Sequence, residues 1–229
     1  MGIKIIGTSH IARQSVKEVQ EAILDFQPDI VAVELDLPRY NALVSGKKGK
    51  LSFKDIKYIG IKGFLFVLVG EYVERKLGEE VGVKAGADML SAIRTAKKMN
   101  LQVALIDQPL PITLHRFSKK LSWKEKWNFI VDIAKGIFLG KKQMREMGLE
   151  NLDLSKVPAD EVIKKTMEFA KKRYPNFYGV LVDERNAYMA KQLKMIMLQN
   201  PGKRVLAIVG AGHEEGILKL ISGFPEQPL

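Results

Sequence analysis

Two histidines stand at matching places near opposite ends of this sequence. Gly7-Thr8-Ser9-His10 follows the apolar run Ile3 to Ile6, and Gly210-Ala211-Gly212-His213 follows Val205 to Val209. With 19 glycines and three histidines in 229 residues, chance supplies about 0.25 such Gly-x-x-His spacings, and the chain carries two. Glycine where a strand turns into a helix lets the backbone take tight conformations and brings its N–H groups near a ligand. The imidazole then projects from the carboxyl edge of the sheet. Glu34 ends the apolar run Ile30 to Val33 and reaches the same edge. His10, Glu34 and His213 together have the ligand chemistry for a divalent ion such as manganese, cobalt or zinc. Such an ion lowers the pKa of bound water and yields a hydroxide nucleophile. The same groups also suit a metal-free site, with one histidine as general base, Glu34 orienting it, and Arg185 or backbone N–H groups stabilising an oxyanion. The sequence leaves both chemistries open.

Other residues rank below these. Asp36 and Arg39 follow Glu34 within a turn or two, and Asp107 closes the run Gln102 to Ile106 at the same edge. Glu184 and Arg185 read as a local ion pair of little stability value, with the alternative that a buried Arg185 clamps a carboxylate or orders Glu34. Asp88, in Gly86-Ala87-Asp88-Met89, reads as a helix cap. His115 reads as a surface or capping group.

These side chains need a scaffold that turns distant segments toward one rim. The runs Ile3 to Ile6, Ile30 to Val33, Gln102 to Ile106 and Arg204 to Val209 are continuously apolar, as suits strands buried on both faces. Helical patterns lie between them at Ser15 to Phe26, about Asp36 to Ser45, Ala87 to Met99 and Glu214 to Ile221. Strand alternating with helix predicts an α/β fold with a central, mostly parallel sheet flanked by helices. In such a sheet ligands sit at the carboxyl edge, where His10 and His213 can meet although 203 positions separate them. The chain reads as one domain, 1–229, with helical insertions at about 47–80 and 112–200, the second lying before the last core strand. Within the second, Ser122-Trp123-Lys124-Glu125 is a capping box, Tyr174-Pro175 breaks one helix, and Phe177 to Leu198 reads as a single long helix.

Composition narrows the function classes. Hydrophobic residues are 46% and charged residues 28%, which excludes a disordered or collagen-like chain. Absence of cysteine removes thiolate nucleophiles and Cys-based zinc sites and fits a reducing interior. The net charge of +11 is concentrated: residues 47–62 carry +5 and residues 116–145 carry +7. Cations on two helical insertions point to an anionic membrane surface or anionic partner rather than to nucleic acid, whose ligands favour one continuous basic groove. The apolar positions of the 122–138 segment, beginning with Trp123 and Trp127, would make that helix amphipathic. Ser52-Phe53-Lys54-Asp55 opens a similar segment. No secretory leader is expected at Met1 to Ile6, and Phe64 to Gly70 is too short to span a bilayer.

Taken together, Gly7-Thr8-Ser9-His10, Val33-Glu34-Leu35-Asp36 with Arg39, Gly86-Ala87-Asp88-Met89, Ile106-Asp107 with Thr113 and Arg116, Asp183-Glu184-Arg185, and Gly210-Ala211-Gly212-His213 resemble the pattern of the TraB/PrgY family. That family is related to the TIKI proteases and to the erythromycin-esterase and ChaN-like group. The resemblance implies an EreA/ChaN-like α/β fold and a metal-dependent, peptidase-like hydrolase. His10, Glu34 and His213 would be its metal or catalytic groups, with Arg185 in support. Asp88 stands where the family pattern has Glu. A peptide or other small amide or ester is the implied substrate. The alternative is a non-enzymatic domain that captures a peptide pheromone or acidic partner in the same cleft. The resemblance further implies membrane attachment through C-terminal helices of a longer parent; a cytoplasmic-side location is the matching expectation, and a homo-oligomer is a further partner to consider.

Overall fold

A computed structural model of the chain describes residues 2–8, 13–46, 86–129, 131–132 and 160–222. Four strands, β1 (Ile3–Thr8), β2 (Ile30–Val33), β3 (Gln102–Leu105) and β4 (Val205–Gly210), form one sheet in the order β1-β4-β2-β3. Every pairing in it is parallel. The expected α/β architecture is therefore the observed one.

Alternation along the strands builds two cores, one on each face of the sheet. Ile30, Ala32, Val205, Ala207 and Val209 pack with Met189, Leu193, Ile217 and Ile221. Their neighbours Val31, Val33, Leu206 and Ile208 point the other way and pack with Val19, Ile23, Met89 and Ile93. The first set belongs with α7 (Glu184–Gln199) and α8 (Ala211–Ile221), and the second with α1 (Arg13–Phe26) and α3 (Ala87–Lys98). Central strands apolar on both faces thus demand helices on both faces, and burying each such side chain stabilises the fold by about 1.5–3 kcal/mol.

The strand order explains how the two ends of the chain meet. β4, the last strand, inserts between β1 and β2, with Thr8 opposite Gly210 and Val33 opposite Ile208. The segments that follow β1, β4 and β2 therefore leave the sheet side by side. Gly7 is required by this packing. A Cβ there would lie 2.9 Å from the Cα of Ala211 and 3.3 Å from the Cβ of Glu214, so the first turn of α8 could not lie against β1.

The helices α2 (Leu37–Ser45), α4 (Leu110–Lys120), α5 (Asp160–Arg173) and α6 (Pro175–Tyr178) complete the labelled elements. Between α6 and α7 the chain makes a π-helical turn, Gly179–Asp183, within what the sequence suggested was one regular helix. The capping box at Ser122 is formed: Glu125 N donates to Ser122 Oγ at 3.2 Å, and Glu125 Oε2 accepts from Ser122 N at 3.0 Å. It opens a helical segment over 123–129. On that segment Trp123 is 84% and Trp127 68% exposed, so these two positions do not join the core. The Ser52 segment and the insertion at 47–80 lie outside the described residues. Among the described residues no helix is long and apolar enough to cross a membrane.

Candidate active site

Three side chains from three elements meet at the carboxyl edge of the sheet. Glu34 directly follows β2, Arg185 lies in the first turn of α7, and His213 lies in the first turn of α8. Arg185 Nη2 donates to Glu34 Oε1, and Arg185 Nη1 lies 3.1 Å from His213 Nε2. His213 Nε2 and Glu34 Oε1 are themselves 3.5 Å apart. All three are secluded, with side-chain exposures of 4% for Glu34, 16% for Arg185 and 10% for His213. His10 lies outside the described residues.

Each group has a local reason for its place. Glu34 Oε2 accepts from Gly210 N at 2.6 Å, so the carboxylate holds the start of α8 as well as the site. That contact lets the helix begin at Ala211, earlier than the expected Glu214, and carries His213 into the first turn. The widened π turn precedes Arg185, whose Nη1 donates to Leu181 O at 3.3 Å inside it. Behind the guanidinium, Asp107 accepts from Arg185 Nε at 3.0 Å and Nη2 at 2.7 Å. Arg39 Nη2 donates to Asp107 Oδ2, the oxygen that also accepts from Arg185 Nη2, and Arg39 Nε donates to Asp36 Oδ1 at 3.0 Å. Asp36 caps α2 through Arg39 N and also accepts from Leu110 N at 2.8 Å. Buried Asp36 and half-buried Arg39 thus act as a brace behind Asp107.

Electrostatics follow from these contacts. Burial alone would raise the Asp107 carboxyl, but hydrogen bonds and charge from Arg185 and Arg39 outweigh it and hold the group below its ordinary value. Burial would lower the Arg185 guanidinium; Glu34 and Asp107 reverse that and hold it above its ordinary value. Arg185 is a fixed cation between two buried carboxylates.

The structure corrects two readings of the sequence. Glu184 does not pair with Arg185: it points away to Arg116 at 2.9 Å and Lys120 at 2.5 Å, leaving Arg185 to the buried carboxylates. Asp88 does not cap its helix, since the N-cap is Gly86, in the left-handed region at φ +76, with no side-chain cap bond. Asp88 is instead 1% exposed and accepts at 2.5 Å from Oγ1 of Thr8, which ends β1 and is the second residue of the first Gly-x-x-His motif. His115 is exposed on α4, as expected of a surface group. One neighbour of the cluster had no assigned role: Asn186, 5% exposed, whose Oδ1 lies 2.7 Å from His213 Nδ1. Its signal was a poor helix former placed inside a helix, a local conflict that marks a side chain wanted for its hydrogen bonds.

Glu34 Oε1 and His213 Nε2 fit a divalent ion in donor type and spacing. Two ligands of one tetrahedral ion, with bonds of about 2.0–2.2 Å, lie about 3.4 Å apart. Arg185 now donates toward both atoms, so guanidinium and ion are alternatives at that position. Among the described residues no group of three His, Asp or Glu side chains forms a metal cluster.

A parallel α/β sheet with a carboxylate, a guanidinium and an imidazole gathered at its carboxyl edge defines the class of open α/β domains, in which that edge is the usual place for a ligand. The chain belongs to the TraB/PrgY/gumN family, whose sequence model matches residues 2–226. It is 32% identical over 224 residues to an uncharacterized protein of Methanocaldococcus jannaschii, covering 96% of this chain and 53% of that protein. It is 24% identical over 242 residues to the TraB domain-containing proteins of Mus musculus and Homo sapiens, covering 95% of this chain and 62% of each of theirs. The chain thus spans between half and two thirds of the length of these curated relatives.

Proposed function

We propose that the domain is a divalent-metal-dependent hydrolase of amide or ester bonds, with a peptide as the substrate class. The observation that carries this reading is the convergence of Glu34, Arg185 and His213, from segments up to 179 positions apart, on one secluded point of the sheet edge. Pairing acid, base and fixed cation in one recess suits a reacting centre.

Glu34 and His213 would hold the ion, and His10 is the third ligand expected from the paired motif. When bound, the ion supplies Lewis acidity and a water acidic enough to serve as nucleophile near neutral pH. The chain's own residues do the rest. Asp107 grips Arg185 by Nε and Nη2, so the guanidinium keeps its anchor if Nη1 leaves His213 and Nη2 leaves Glu34 to admit the ion. Nη1 can then donate to the carbonyl oxygen as negative charge develops there. Arg39 and Asp36 keep Asp107 oriented, and the low exposure of the cluster strengthens each interaction by excluding water.

The test is release of new amines or acids from a peptide mixture and from simple aryl esters, with added Mn2+, Co2+ or Zn2+. Hydrolysis by the native chain that is abolished by a chelator, by Glu34→Gln and by His213→Gln is the expected result. Undiminished turnover in both variants would overturn the assignment. Peptide capture without turnover would leave a binding domain in its place.

A further inference from the structure

We infer that Asn186 is a positioning residue that fixes His213 as the Nδ1–H tautomer, and that Gly216 is glycine so that Asn186 can do so. The inference rests on the reading above, in which Nε2 of His213 is the working atom. Arginine is a donor only, with no acceptor atom. Arg185 Nη1 lies 3.1 Å from His213 Nε2, so Nε2 must offer its lone pair and cannot carry the proton. The neutral ring therefore carries its proton on Nδ1, where the neighbour at 2.7 Å must accept it, which identifies that neighbour as Asn186 Oδ1 rather than the amide nitrogen. The donor-only character of one side chain settles both the tautomer and the amide orientation.

The outcome matters because only an unprotonated Nε2 can accept a proton or ligate an ion. Asn186 holds that state from the far side of the ring, and its own seat is shaped by α8. A Cβ at Gly216 would overlap Asn186 Nδ2 and lie 3.1 Å from its Cγ. Gly216 and His213 lie within one turn of the same helix, so this helix supplies both the imidazole and the gap that receives the residue orienting it. Asn186 is 5% and His213 8% exposed, so water competes poorly for either position.

Long-range 1H–15N correlation spectra of the 15N-histidine-labelled chain, without added metal or substrate, read the tautomer directly. With only three histidines, His213 is assigned by the signals lost in His213→Gln. Native protein and Asn186→Asp, which keeps the acceptor, are expected to show protonated Nδ1 and bare Nε2. Asn186→Leu and Gly216→Ala are expected to lose that pattern and shift population toward protonated Nε2. They should also lose about 10–100-fold in turnover or metal affinity, with Asn186→Asp largely restoring it. Native spectra showing protonated Nε2, or an unchanged tautomer in a folded Asn186→Leu, would overturn the inference. If Asn186→Leu does not fold, Gly216→Ala decides. Because no substrate is present, a chain that hydrolyses nothing yet shows the Nδ1–H tautomer would refute the hydrolase reading while supporting this one.

Discussion

Replacing Arg185 with methionine should expose how much of the fold depends on the site. The change keeps most of the side-chain volume and removes the cation that bridges Glu34 and Asp107, whose side chains are 4% and 1% exposed. Asp107 retains Arg39 after the change, and Glu34 retains Gly210 N, but the charge that offset their burial is halved or lost. Breaking a buried pair by removing one partner costs about 3–5 kcal/mol. For a chain of this size each kcal/mol lowers Tm by about 2–4 °C, so a fall on the order of 6–20 °C is expected. The pH dependence has a defined sign. Asp107 is held below its ordinary value of 3.8, so its contribution is present above that pH and is lost as pH falls through the folded value. Arg185→Met lacks most of that contribution, and protonation relieves its stranded carboxylates. The gap between native and variant should therefore be widest near pH 7 and close only below pH 3.8, toward about pH 3. Urea unfolding followed by circular dichroism at both pH values measures it, with Glu34→Gln added to Arg185→Met restoring part of the loss. A difference under about 1 kcal/mol, or one that does not change with pH, would refute the reasoning, because it would mean the carboxylates do not depend on the guanidinium.

Two further outcomes follow from local geometry. Glu125 accepts from Ser122 N, Ser122 Oγ, Asn176 N, Asn176 Nδ2 and Phe177 N; burial would raise it, but these hydrogen bonds lower it to about 2. Glu125→Ala should cost about 2 kcal/mol in urea unfolding at pH 7, and the native advantage should shrink as pH falls from 4.5 toward 2; a constant difference over that range would contradict the network. Gly7→Ala places a methyl 2.9 Å from the backbone of Ala211 and should cost about 1–3 kcal/mol in a thermal melt, whereas an unchanged melt would show that α8 does not rest on β1 as described.

The layout of the fold was legible because its strands are short, continuously apolar and separated by helical periodicity. Ile30 to Val33 is fully buried on both faces, as suits a central parallel strand. That Glu34 and His213 both reach the carboxyl edge was also legible, since a residue that ends a parallel strand does so whatever the strand order. The order itself was not, because the insertion of β4 between β1 and β2 is fixed by hydrogen bonds between segments more than 170 positions apart. Sequence spacing could not choose between Glu184 and a distant carboxylate for Arg185, because that choice depends on the direction in which a π turn aims the side chain. Asp88 misled for a related reason. A carboxylate in a helix's first turn normally serves the helix, yet here Gly86 takes the cap position and leaves Asp88 to Thr8 across the sheet edge. Asn186 shows its value only beside Arg185 and His213, since its role is set by which ring nitrogen is already taken.

The most direct test of the central claim is turnover of a peptide mixture by the native chain and by His213→Gln, each with and without Mn2+, Co2+ or Zn2+. The account predicts metal-dependent cleavage by the native chain and none by the variant at matched folding, whereas equal cleavage by both would place the chemistry somewhere other than the sheet edge that joins Glu34, Arg185 and His213.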